Sequence, residues 1–299
     1  MRALAEFVMR SRLHAMGMTA MLAFTTLLLP PVGYLAGAVI GLVTLRHGAS
    51  EGLLTLVGGL ALAAIVNSLN GGSAVTVGIL ALFWLPLWTL LVLLRSSQSL
   101  SVMFQVAALF GVAVLFLFYL VAEGDPSIWW QEVVQELFAA AGEVSGHNGG
   151  QGVEMLLDPR LAEVLTGIMA AGFFLGLVVM ALIARGWQAM LYNPGGLKEE
   201  FLALQLGKNA VFLGLAVMLP GMLMGDSVPS MVPDLMQIWM TLFMLQGIAV
   251  AHALLDIRTQ RRGWIAALYL VTLFTPMGFI VTMVGVTDAW VNYRKQFAV

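Results

Sequence analysis

The stretch 102–122, VMFQVAALFGVAVLFLFYLVA, decides the fold class, and Gln105 is its exception to an almost continuous apolar run. At about 1.5 Å per residue, roughly 20 such residues cross the roughly 30 Å of hydrocarbon in a bilayer. A membrane β-strand would instead alternate apolar and polar residues over about ten positions, and this stretch does not alternate. It is a transmembrane helix.

Working outward, the chain repeats that pattern. Apolar segments cover 13–29, 32–45, 52–68 and 74–94 before it, and 162–184, 209–225, 233–255 and 264–291 after it. Of the 299 residues 60% are hydrophobic and 10% charged, with a mean hydropathy of +0.94. Soluble domains carry about 25% charged residues, so little of this surface is suited to water. The fold class is all-α, a single polytopic transmembrane bundle over 1–299 with roughly eight to ten hydrophobic helices. The chain contains no cysteine, which excludes disulfides and thiol chemistry. It has no basic tract for nucleic acid. The arginines ahead of residue 13 are followed by no small-residue cleavage site, so the first run reads as a retained span.

Charge sets the orientation. With both termini inside, Arg2, Arg10, Arg12, Arg46, Arg95, Arg185, Lys198, Lys208, Arg258, Arg261 and Arg262 fall on the cytoplasmic side, where loops collect basic residues. The outer side receives Arg160 and the acidic excursion 123–161, with Glu123, Asp125, Glu132, Glu136, Glu143, Glu154, Asp158 and Glu163. This bookkeeping makes 13–45 a short hairpin turning at Pro30 and Pro31. It also splits 264–291 into two short helices near Pro276. Within the excursion, Asp125 and Pro126 open a helix whose Trp129 and Trp130 suit the headgroup zone. The stretch 185–208 reads as a cytoplasmic segment broken at Asn193, Pro194, Gly195 and Gly196. A short amphipathic helix then covers 197–206.

Candidate sites are few. Gly33, Gly37 and Gly41 form a GxxxGxxxG face, which serves either internal helix packing or the docking of another subunit. Ionisable groups within spans are functional suspects, here His252 and Asp256, one turn apart, and Asp288, followed by Trp290 and Arg294. All lie toward the cytoplasmic edge, as interfacial groups, structural pairs or a relay. Asn67, Gln105, Gln237 and Gln246 serve interhelical hydrogen bonds or line a polar pocket for a small solute. Methionines between 218 and 244 read as adaptable packing rather than metal ligands. The chain has no phosphate-binding glycine loop, no HExxH and no GxSxG. No enzyme activity, cofactor or metal is expected.

The ending is the most specific feature. Leu245 to His252 leads to a proline-broken segment that closes on Gly285, Asp288, Trp290, Tyr293, Arg294 and Lys295. This resembles the YybS-like family of bacterial polytopic membrane proteins, which is distantly similar to the S components of energy-coupling-factor transporters. The resemblance implies a small-solute-binding subunit in a bacterial inner membrane. Such a subunit docks on a transmembrane coupling subunit driven by ATPases, and Gly33, Gly37 and Gly41 are candidates for that docking. The chain departs from S components in its length and in its acidic excursion. The alternative from the residues alone is a non-transport scaffold or regulatory subunit of a larger assembly.

Overall fold

Inside hydrocarbon every backbone N–H and C=O has to be bonded within the protein, and a helix does this locally. The computed structural model describes residues 1–26, 29–122, 126–145, 159–224, 228–258, 262–274 and 277–297. Those residues form fourteen α-helices and no strand. Along the chain they are α1 (Arg2–Val8), α2 (Arg12–Thr25), α3 (Gly33–His47), α4 (Ala49–Leu69), α5 (Ala74–Ser97), α6 (Leu100–Val121) and α7 (Pro126–Ser145). There follow α8 (Pro159–Tyr192), α9 (Gly196–Leu202), α10 (Lys208–Met224), α11 (Met231–Arg258), α12 (Arg262–Phe274), α13 (Met277–Val291) and α14 (Tyr293–Phe297). Among the described residues, α4, α5, α6, α8 and α11 are long and apolar enough to cross a membrane alone. Glu123, Asp125, the 146–150 glycine-rich stretch, Glu154, Asp158, Arg261 and Pro276 lie outside the described residues.

The helices alternate in direction, so their ends sort into two faces. Gln98 takes a left-handed turn (φ 52°) between α5 and α6, and the Ser99 hydroxyl accepts the Val102 N–H to start α6. One face of the bundle gathers α1, the turns 45–51 and 95–101, the linker 193–208 and α14. We call this the basic end. The Arg95 guanidinium donates to the Leu45 carbonyl (2.5 Å), and Arg46 lies over the Tyr192 ring (4.1 Å). Arg12 pairs bidentately with Glu51. The opposite, acidic end holds α7 and the starts of α8 and α11. Helices α1 and α14, the first and last described, share the basic end.

The half-length segments form the hairpin that the charge pattern requires. A 3₁₀ turn at Pro30–Val32 joins α2 to α3. Ala15 and Val43 line one cleft at the basic end, while Gly33 faces Thr26 at the other. Helix α3 is the core: Ala36 through Leu45 are all buried. Its 15 residues span about 22 Å, short for a bilayer, but α2, α4, α5 and α8 surround it. No lipid has to match its length.

In that core the glycine stripe is used internally. A Cβ on Gly37 would sit 2.4 Å from Met180 Sδ and 2.8 Å from a Leu87 methyl. On Gly41 it would meet the Ala184 methyl at 2.5 Å and Leu91 at 2.6 Å. Without hydrophobic driving force between helices in lipid, such close approach is what holds them. In this bundle α5 and α8 occupy the face that Gly37 and Gly41 present. Gly33, against Thr26, is half-buried.

Two boundaries also differ from expectation. The span read as 162–184 runs on without a break to Tyr192, because Arg185 is buried and does not mark a membrane edge. Its guanidinium pairs with Glu200 and donates to Gln188 (2.8 Å), which supplies the partners a buried charge requires. The amphipathic helix read as 197–206 is shorter, Gly196–Leu202. It starts after Gly195 in a left-handed conformation (φ 93°).

Candidate functional site

Two buried carboxylates organise the polar interior, Asp234 in the first turn of α11 and Asp288 on α13 against the middle of α11. At the basic end Asp288 is 0% exposed. It reaches that position because α13 crosses α11 with backbones in contact, and a Cβ on Gly285 would lie 2.0 Å from the Phe243 carbonyl oxygen. Asp288 Oδ1 accepts the Tyr293 N–H (3.0 Å). Its Oδ2 accepts Gln246 Nε2 (3.0 Å) and Arg294 Nη2 (3.1 Å). The same Arg294 nitrogen donates to the Leu204 carbonyl (2.7 Å), and Gln246 Oε1 accepts the Leu206 N–H (2.9 Å). Burial draws the Arg294 guanidinium below its ordinary value and Asp288 opposes that shift. Both Asp288 oxygens are paired. The junction locks the C-terminus and the 203–207 linker onto α11.

At the acidic end Asp234, in the first turn of α11, is 1% exposed. The Tyr119 hydroxyl on α6 donates to its Oδ2 (2.7 Å). Its Oδ1 is buried and has no well-aligned hydrogen-bond donor among the described residues; the Gly167 backbone N–H is the nearest backbone donor acting on the carboxylate. Oδ1 faces Gly167 of α8, where a Cβ would sit 2.6 Å away. Gln237 Nε2 is beside it and makes a long bond to the Val164 carbonyl (3.4 Å). Helix α7 covers the cluster through a Trp130 Nε1 bond to the buried Thr166 hydroxyl (2.9 Å). Phe118 stacks on Trp130 (centroids 5.6 Å apart, 21° between planes), with Trp129 edge-on to both. A hidden acid with an acceptor that lacks a well-aligned donor, next to an amide and a phenol, is suited to a hydrogen-bond donor or a cation.

The other sequence candidates scatter. His252 Nδ1 lies 3.2 Å from the Tyr269 hydroxyl, whereas Asp256, one turn on, pairs with Lys198 (2.9 Å). The two share a helix face, and the charges of Asp256 and Lys198 both act on the His252 ring. Trp290 is 45% exposed and touches Phe212 edge-on. Asn67 donates to the Ser73 carbonyl in the α4–α5 turn (2.9 Å). Gln105 donates to the Ser101 carbonyl within α6 (3.1 Å). Of the four polar residues suggested for one pocket, Gln237 joins Asp234, Gln246 joins Asp288, and Asn67 and Gln105 join neither.

Asp234, Tyr119, Thr166 and Gly167 were not singled out by the sequence reading. The available signal was weak, since an acid in the first turn of a helix is an ordinary helix-start residue. Tyr119 ends an otherwise apolar run. Compared with protein families, curated proteins and solved structures, the chain matches none.

Proposed function

We propose that this protein is the solute-recognising membrane subunit of a transport system, with recognition at the acidic end and Asp234 as the anchor. The observation that carries the proposal is the buried Asp234 oxygen without a well-aligned donor inside a membrane-spanning helix. Leaving such an acceptor poorly paired is costly, and a solute N–H or cationic group would complete it. A small nitrogen-bearing solute suits an acid acceptor of this kind, and the Phe118, Trp129 and Trp130 rings, packed on one another over Thr166, cover that end of the bundle. The basic end faces the cytoplasm of a bacterial inner membrane, following the distribution of Lys and Arg. Asp234 then lies toward the outer side, from which uptake begins, buried beneath α7. The chain has no phosphate-binding glycine loop of its own, so energy comes from a coupling subunit and its ATPases. With Gly37 and Gly41 occupied internally, that partner docks elsewhere.

The test is purification in nanodiscs with mass spectrometry of both the proteins and the small molecules retained. A metabolite held by the wild type and lost from Asp234→Asn, together with a coupling subunit or ATPase, is the expected result. A stable complex of non-transport proteins with no small molecule would reject the proposal in favour of a scaffold.

A further inference from the structure

Helix α10 is tied to α11 but stands away from α6, and the gap is apolar except for Gln105 and Asn209 toward the basic end. Trp239 Nε1 on α11 donates to the Ala210 carbonyl (3.1 Å), which fixes the back of a notch between α6, α10 and α11. The notch has a volume of about 260 Å³, with Ala108, Leu109 and Val112 on one wall and Leu213 and Val217 on the other. Its base is closed at the basic end, where the Gln205 N–H donates to the Ser101 hydroxyl (3.2 Å). From Asn209 to Val217 the wall rises about 12 Å, most of the roughly 15 Å that one leaflet contributes to the hydrocarbon. At the basic end Asn209 lines the notch and Lys208 precedes it in the chain, both exposed. Lys208 makes no ion pair among the described residues.

We infer that this notch is a binding site for one anionic glycerophospholipid of the surrounding bilayer, independent of the solute site at the other end. Water does not stay in an apolar slot at this depth, and an acyl chain fits its length and lining. The unpaired ammonium at headgroup level complements a phosphate whose lipid carries no compensating amine. One lysine near the surface is worth about 1 kcal/mol toward anionic lipid, which corresponds to about a fivefold preference over a zwitterionic one.

The absence of native cysteine permits a clean probe. Leu213→Cys, a position 64% exposed on the notch wall, is labelled with bimane and the protein placed in phosphatidylcholine nanodiscs. Small fractions of phosphatidylglycerol or phosphatidylcholine with brominated chains then quench the label. Phosphatidylglycerol is expected to quench at about fivefold lower mole fraction. Lys208→Gln should abolish that difference while leaving the quenching itself. Phe116→Cys, on α6 outside the notch, should show no lipid preference. Equal quenching by the two lipids at Leu213→Cys, or the same preference at Phe116→Cys, overturns the site. So does a label shielded from both lipids that cross-links between chains, which would put a second copy in the notch. If Leu213→Cys does not fold, Leu109→Cys on the facing wall (58% exposed) serves the same purpose.

Discussion

Asp234 and Asp288 are equally hidden, at 1% and 0% exposure, yet the bundle furnishes them in opposite ways. Asp288 has a donor for each oxygen, drawn from α11, α14 and the backbone of Tyr293. Asp234 has one well-aligned donor, Tyr119, and a second oxygen without one against a glycine. Burial alone therefore does not separate a structural acid from a recognition site. The completeness of the hydrogen bonding does.

The largest effect should come from the furnished acid. Asp288→Ala leaves the Arg294 charge largely buried without its partner and frees Gln246, and breaking a buried pair in this manner costs about 3–5 kcal/mol. Unfolding in a fixed detergent, followed by heat or by added sodium dodecyl sulfate, measures the loss. A value within about 1 kcal/mol of wild type would show that Asp288 is not the lock of the C-terminus. Next comes the glycine beneath it. Gly285→Ala sets a methyl carbon into the Phe243 carbonyl, 2.0 Å away, and forces α13 off α11. Overpacking of this kind costs about 1–3 kcal/mol, and a neutral outcome would place the helix crossing elsewhere.

Asp234→Asn should reverse the pattern. The amide oxygen still accepts from Tyr119, and an amide of the same shape replaces the carboxyl, so stability should stay within about 1 kcal/mol of wild type. Solute retention should disappear. If instead Asp234→Asn unfolds as Asp288→Ala does, the two acids are both structural, and the open oxygen carries no recognition.

How much of this contrast the sequence could supply depends on how far apart the contributing residues lie. Spans such as 102–122 are legible because length and hydropathy belong to contiguous residues, and the α2–α3 turn follows from charge counting. The association of Asp288 with Tyr293 and Arg294 is local, within six positions, and therefore visible. Its burial is not, because Gln246 and the 204–206 backbone arrive from distant segments. Asp234 and Tyr119 are 115 residues apart, and neither stands out alone. The glycine stripe was legible as a packing face, but a single sequence does not say whether the neighbour is the chain's own α8 or another subunit. Arg185 looked like a membrane edge because its partner Glu200 lies in a different helix.

The smallest effect should be found at the other carboxylate of α11, Asp256. Asp256 pairs with Lys198 at 2.9 Å, with the side chains 32% and 53% exposed. At that exposure water and salt screen the pair, and such bridges contribute about 0–1 kcal/mol. Asp256→Asn should therefore shift unfolding by less than about 1 kcal/mol, and the shift should shrink further as salt rises and the screening length falls. The geometry of this pair is as short as that at Asp288, so distance is nearly held constant while exposure changes. If Asp256→Asn proved as damaging as Asp288→Ala, loss of a carboxylate charge anywhere on or against α11 would set the cost. The contrast between a furnished and an open buried acid would then lose its physical basis. If the small, salt-sensitive shift is found, desolvation and the count of satisfied oxygens are left as the quantities that distinguish the carboxylates on and against this helix.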